Sequence, residues 1–294
     1  MARTDAPHAG GLHFDRLLHL RRRIANAVFL TLTAIATLIA LVALALILKT
    51  LVVNGMVAMN LHVFTMEQPA AGMEGGLLNA IIGSVFMTAM AMVIALFIGI
   101  LAGTWLAEYG DGSRLAAIVR FLNDVMISAP SILIGLFIFE LLVRPFQGFS
   151  ALAGAVALAL LAIPVATRAT EDILRLQPGA LREAGMALGA SRGLVIRQII
   201  WRASRSGLVT GALLSFARIS GETAPLIFTS LGNSFISYKL NQPMASLPTT
   251  ILQFAMSADE GWQRLAWAGA LLITATVLAT NIIGRVLTRG STHK

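Results

Sequence analysis

The stretch RRRIANAVFLTLTAIATLIALVALALILK, residues 21–49, carries twenty-five consecutive residues without a charge, bracketed by three arginines and one lysine. A helix rises about 1.5 Å per residue and a bilayer core is about 30 Å thick, so roughly 20 such residues cross it. The run is too long for the apolar core of a cleaved signal peptide, about 7 to 15 residues, and it predicts an uncleaved first span. Working outward, span two lies within the charge-free run 75–107, span four within 145–167 and span six at 265–284. Charges interrupt the other two. Span three, about 115–143, has Pro130 between Asp124 and Glu140, and span five, about 206–231, contains Arg218 and Glu222. The pattern predicts an all-α, polytopic membrane protein with six transmembrane helices.

Composition agrees. Of 294 residues 57% are hydrophobic and 12% charged, against about 25% charged in ordinary soluble domains. A β-barrel would alternate polar and apolar residues in segments of about ten, and that alternation is missing. Twenty-two basic against fourteen acidic residues give a net charge of +8. In a soluble protein that excess suggests nucleic acid, but in a membrane protein it marks cytoplasmic loops and membrane lipid. Counted by side, seventeen Lys and Arg fall with the two termini, Arg114, Arg120 and the segment 168–205, while Lys49, Arg144, Lys239 and Arg264 fall opposite. This places both termini in the cytoplasm.

The chain has no cysteine, so it offers no disulfide and no thiolate ligand. The five histidines, His8, His13, His19, His62 and His293, lack partners at ligand spacing, and the twelve methionines form no repeat. No metal, cofactor or catalytic residue is expected. Gly189 to Gly193 fits the G-x-S-x-G elbow of serine hydrolases, but no strand precedes it and only His293 follows.

Small-xxx-small pairs at Gly99/Gly103 and Gly207/Gly211 predict close helix packing. Residues 171–205 break sharply from the apolar pattern. Pro178 and Gly179 form a turn, 180–188 suits a short helix, Gly189 can end it in a left-handed cap, and Ser191 can start a second helix with Leu194, Val195 and Ile199 on its apolar face. Such a knob suits either a docked protein or the surface of anionic lipid.

The run REAGMALGASRGLVIRQII, residues 182–200, resembles the EAA loop of ABC-importer permeases. Glu183, Ala184, Gly189 and Ile199 match its pattern, while Gly185, Trp201 and Arg202 depart from it. The resemblance implies a type I, MetI-like permease bundle whose loop docks on a separate ATP-hydrolysing subunit. The chain has no P-loop of its own, lacking even a Gly-Lys pair.

ARISGETAP, residues 217–225, raises a physical problem. From a cytoplasmic start near Ser206, Arg218 lies about 18 Å into the membrane, where an arginine costs on the order of 3 kcal/mol or more. Four residues separate Arg218 from Glu222, so one helix face can hold them as a pair. Either the pair is a packing device or it lines an aqueous route, and intramembrane charges favour the route. Gly221 and Pro225 weaken the helix there. Arginine's planar fork suits a tetrahedral oxyanion. A neighbouring carboxylate repels an anion unless that anion carries a proton, which phosphate does and sulfate does not. The reading is an ion pair at rest that opens to a passing phosphate.

The segments 217–229 and 240–248, with LAEYG at 106–110 and APSILIGLF at 129–137, are similar to the PstA-type permeases of phosphate-specific ABC importers. That resemblance places Arg218 and Glu222 on the phosphate route. It implies as partners a PstC-like second permease, a PstB-like ATPase dimer and a PstS-like periplasmic phosphate-binding protein. Residues 1–27 then form a cytoplasmic tail and 28–294 one permease domain, with a family-like core at about 75–288 and the coupling loop at about 169–205. The rivals are a permease of the same scaffold for phosphonate, molybdate or an amino acid, the PstC-type partner, an intramembrane enzyme, and a structural anchor.

Overall fold

The structure, a computed structural model, describes the backbone of residues 11–289 and the side chains of 18–286. Arg3, His8, His293 and Lys294, used above in the charge and metal readings, lie outside the described residues. Every regular element among them is helical.

The chain divides into two units at Val53/Asn54. The first consists of most of α1 (Gly11–Ala58), one 48-residue helix that already runs through residues 11–27 of the expected tail. The second begins with the end of α1 and a single turn, α2 (His62–Thr65). The long α3 (Leu78–Glu108) follows, then α4 (Arg114–Ser128), α5 (Ser131–Ile138) with a π-turn at Phe139–Val143, and α6 (Ala151–Arg175). Next come α7 (Gly179–Ala187), α8 (Arg192–Val195), a π-turn at Ile196–Ile200 and α9 (Trp201–Ala203). The remainder is α10 (Arg205–Ser220), α11 (Ala224–Thr229), α12 (Leu247–Ala255) and α13 (Glu260–Arg289).

Spans one, two, four and six form as long apolar helices. The other two, where the sequence places charges, are not single long helices. Span three is α4 and α5, bent by 103°. Pro130 has no N–H to donate and forces the residue before it out of the helical region, and Ala129 is extended at φ −68°, ψ 135°. Span five is the 16-residue α10, about 24 Å long, interrupted at residues 221–223 before α11.

The bundle is built around α6. It is alanine-rich and buried along nearly its whole length, from Ala151 to Leu174. Between apolar helices in lipid, close backbone approach supplies the attraction, because lipid is as apolar as the side chains. Both predicted small-residue pairs dock on α6. Gly99 and Gly103 of α3 lie against Ala166, Thr167 and Thr170, and Gly207 and Gly211 of α10 lie against Ile173 and Ala169. Asn123 of α4 donates to the Pro164 carbonyl at 3.1 Å, tying α4 to the same helix.

Two ends can be distinguished. The knob end carries residues 176–204. At the far end α6 starts about two turns deeper than α3, since Gly154 packs on Met87. Residues 230–247 fill the space left above it. Tyr238 meets Phe86 edge-to-face at 6.2 Å, and the Leu247 amide donates to Ser84 Oγ at 2.7 Å. The first amides of α6 are satisfied by this segment: Ala151 N donates to Gln242 O and Leu152 N to Leu240 O, both at 2.9 Å. Irregular backbone at such depth is tolerated only when protein covers it and its polar groups are matched.

Candidate functional site: an interrupted helix and a clamped knob

Helix α10 buries Gly211, Ser215 and Ile219 toward α6. Its opposite stripe, Ser206, Thr210, Leu214 and Arg218, is exposed throughout. Twelve residues from Ser206 to Arg218 span about 18 Å along the helix axis. The helix then stops. Ser220 is its last residue, Gly221 follows at φ −106°, and α11 restarts with Pro225 in its first turn, where a missing N–H matters least.

This break overturns one expectation. Arg218 and Glu222 do not form the predicted i, i+4 pair, because Glu222 has left the helix. It sits half-buried in the unwound stretch with its own amide bonded to Ile219 O at 3.2 Å. No ion pair among the described residues joins the two side chains. Arg218 forms no side-chain hydrogen bond within the described residues, so the guanidinium stands exposed in the last turn of α10. A cation there is favoured by the helix dipole, whose negative end it faces. The break abuts the other interrupted element: Pro225 crosses Gly135 of α5 so closely that a Cβ at 135 would lie 2.7 Å from the Pro225 Cα. The bend at Pro130 and the break at 221–223 thus stack. On the far side of α10 an apolar cavity of about 120 Å³, lined by Ser84, Thr88, Phe216, Ser220 and Thr276 among others, offers no charged group to an anion.

The coupling-loop residues gather in the knob. Gly189 takes φ +81°, the left-handed cap read from sequence, and Ser191 occupies the start of α8 with no side-chain cap bond. Glu183 and Ala184 are exposed on α7, and Ile199 is half-buried. Gly185, the departure from the alanine of the EAA pattern, is buried. A Cβ there would lie 2.8 Å from Val195 Cγ2 and 2.9 Å from Ile199 Cδ1, so the glycine lets α7 sit down on the second helix. Leu188 is 89% exposed at the apex.

Sequence reasoning missed what holds the knob. Glu108 ends α3 inside an apolar neighbourhood, its side chain 2% exposed, and takes both prongs of Arg182 at 2.5 to 3.1 Å. That hydrogen bonding raises the Arg182 pKa above its ordinary value, with burial opposing. Arg192 donates to the Glu108 carbonyl and lies over the Tyr109 ring at 4.5 Å. A second buried acid, Glu171 of α6, gathers Arg120 at 2.7 Å and Arg175 at 3.2 Å. The available signal was Glu108, the acid that closes the apolar run 75–107; Glu171, past Arg168, carried no comparable mark.

A bundle spined by one helix, two stacked interruptions and a projecting knob define a membrane permease. The chain belongs to the binding-protein-dependent transport system inner membrane component family, whose pattern matches residues 95–293. It is 51% identical over 265 residues to the phosphate transport system permease protein PstA of Haemophilus influenzae, covering 90% of this chain and 94% of that one. It is 46% identical over 271 residues to PstA of Xylella fastidiosa, covering 92% and 94%. It is 34% identical over 260 residues to the probable PstA of Methanocaldococcus jannaschii, covering 88% and 92%. Within the family the chain therefore falls among the PstA-type permeases. Its fold is shared with the MetNI methionine ABC transporter in inward-facing conformations, at TM-score 0.62 and 19% identity over 73% of this chain and 95% of that one. It is shared also with an amino acid ABC transporter, at TM-score 0.52 and 15% identity over 72% and 93%.

Proposed function

We propose that this chain is the membrane permease subunit of an ATP-driven inorganic phosphate importer, and that Arg218 is the anion-binding side chain of its route. The substrate follows from relatives that share half of their residues with this chain along nine-tenths of its length. A separate ATPase subunit hydrolyses the nucleotide. The observation that carries the site assignment is an exposed guanidinium with no ion-pair partner among the described residues, standing where its helix is broken.

An arginine already engaged by a carboxylate would have to release it before taking phosphate. Here Arg218 is open, and its fork can take two phosphate oxygens at once. Glu222, freed from the helix, can accept the hydrogen bond of a protonated phosphate oxygen. Sulfate has no such proton at neutral pH and gains only repulsion from the carboxylate. The pair acts through the ligand rather than on itself. Unwound backbone at residues 221–223 fits a water-filled route, which tolerates what lipid forbids.

The exposed stripe of α10 then faces the PstC-like permease across the route. The knob, with Glu183, Ala184, Gly189 and Ile199, seats on a PstB-like ATPase dimer through its exposed Leu188, and a PstS-like binding protein delivers phosphate at the far end. Both termini lie in the cytoplasm, as the arginine count supports. The test is the assembled transporter in proteoliposomes with binding protein outside: phosphate uptake and phosphate-stimulated ATP hydrolysis are expected. Stimulation by sulfate or methionine in place of phosphate would overturn the substrate, and unchanged uptake in R218Q/E222Q would overturn the site.

A further inference from the structure

We propose that the knob is mechanically part of α3, so that Glu108, Arg182, Arg192 and Tyr109 form the joint through which ATPase motion enters the bundle. This rests on the reading that the knob docks on the ATPase. Chain connectivity suggests a different lever, because the knob runs directly into α10. The structure makes that connection soft. Between α8 and α10 lie the π-turn Ile196–Ile200 and a turn at Ser204, bridged by the backbone bonds from Ser204 N to Ile200 O and from Leu208 N to Ser204 O, both at 2.9 Å. Ser204 Oγ is buried there without a hydrogen-bond partner, so nothing pins the turn through its side chain.

The attachments to α3 are hard and successive. Trp201 Nε1 donates to Thr104 Oγ1 at 3.2 Å, Arg182 grips Glu108 with two prongs, and Arg192 covers Tyr109 while donating to the Glu108 carbonyl. Arg182 also donates to the carbonyls of Leu174 and Gln177 at 2.9 and 2.8 Å, adding the end of α6 to the grip. Paired and two-pronged contacts around a buried carboxylate hold one geometry, whereas an interrupted helix can bend. From Thr104 and Glu108 the displacement passes to α6 through the glycine contacts at 99 and 103. Helix α10, with Arg218, follows as the flexible member. These four are positioning residues, and none touches the substrate.

The experiment uses the assembled transporter with its ATPase and binding protein, reading ATP hydrolysed per phosphate imported. Glu108→Gln keeps an acceptor but loses the charge, and Arg182→Lys keeps the charge but loses the fork. Both are expected to retain the ATPase subunit and its hydrolysis. In E108Q the ratio should rise about tenfold, inside the 5- to 150-fold range that coupling free energies span, with R182K between it and the wild type. An unchanged ratio in both overturns the joint, and so does loss of the ATPase subunit, which would make the pair a docking requirement. A second measurement does not depend on these variants folding. The chain has no cysteine, so spin labels at M186C on α7 with L101C, or M186C with L214C, report knob-to-α3 and knob-to-α10 distances alone. Nucleotide should leave the first distance fixed and change the second; two fixed distances, or an equal change in both, overturn the proposal. A cross-link from L188C to the ATPase subunit tests the docking reading separately. Its absence alongside a rigid knob-to-α3 distance removes the docking reading, and with it the route for ATPase motion, and leaves only the rigid attachment of the knob to α3.

Discussion

Replacing Arg218 by glutamine should leave folding almost untouched and remove most transport. Among the described residues the Arg218 side chain has neither a carboxylate within ion-pair distance nor a hydrogen bond to lose, so truncating its charge strands none of them. The expected change in stability is therefore that of an exposed site, within about 0.5 kcal/mol. A double-mutant cycle with E222Q should give additive stabilities, within about 0.3 to 0.5 kcal/mol. The bound state differs. A hydrogen bond to a charged group contributes about 1.5 to 3 kcal/mol, and at 1.4 kcal/mol per tenfold its loss weakens phosphate engagement by roughly 10- to 150-fold. The assay has two arms: unfolding of the purified chain in detergent, and initial uptake rates of radiolabelled phosphate into proteoliposomes across a concentration series. E222Q should lower uptake less, and should narrow the preference for phosphate over sulfate. The reasoning is refuted if R218Q transports within twofold of the wild type. It is refuted equally if the cycle shows a coupling above about 1 kcal/mol in stability, since the two side chains would then be paired after all.

Three further outcomes follow from the geometry. In Gly103→Ala a Cβ would lie 2.5 Å from the Thr167 carbonyl, about 0.9 Å inside the 3.4 Å limit of ordinary contact, and backbone cannot step aside. A loss of about 1 to 3 kcal/mol is expected, measured by unfolding in detergent, whereas Gly207→Ala meets only the Ile173 side chain and should lose less. Leu188→Glu, at the apex of the knob, should unfold like the wild type yet retain about 10- to 150-fold less ATPase subunit in pull-down titrations, the equivalent of one unburied leucine at ~1.5 to 3 kcal/mol. Asp259 accepts from the amides of Trp262 and Gly72, which hold its carboxyl below the ordinary value of 3.8. Because the folded value is depressed, this tie is complete above the ordinary value and is lost as pH falls through the lowered one. Protection of the Gly72 amide from hydrogen exchange, relative to the intrinsic rate at each pH, should fall only in that acid window, and in D259N should be reduced at every pH.

The helical class, the placement of four spans, the small-residue faces and the knob's two short helices were legible because each rests on local chemistry. A charge-free run, a glycine in a left-handed cap or a proline in a helix has the same consequence wherever it is folded. The break at 221–223 was legible too, from Gly221 and Pro225, but its consequence for the Arg218 and Glu222 pair was not drawn, because a spacing of four implies one face only while the helix lasts. Pro130, which the sequence already places inside span three, bends that span in the same way.

Sequence by itself thus determined that the chain lives in a membrane, which four of its runs form long apolar helices, and which charges interrupt the others. It could not say that α6 is the spine, because in lipid a buried helix face and an exposed one are equally apolar and hydropathy does not separate them. Nor could it find the grip of Glu108 on Arg182, 74 residues apart, or the filling of the far end by residues 230–247. Tertiary structure decided these, since each depends on which backbones come close enough to touch, and contact across that much chain leaves no periodic mark in the sequence.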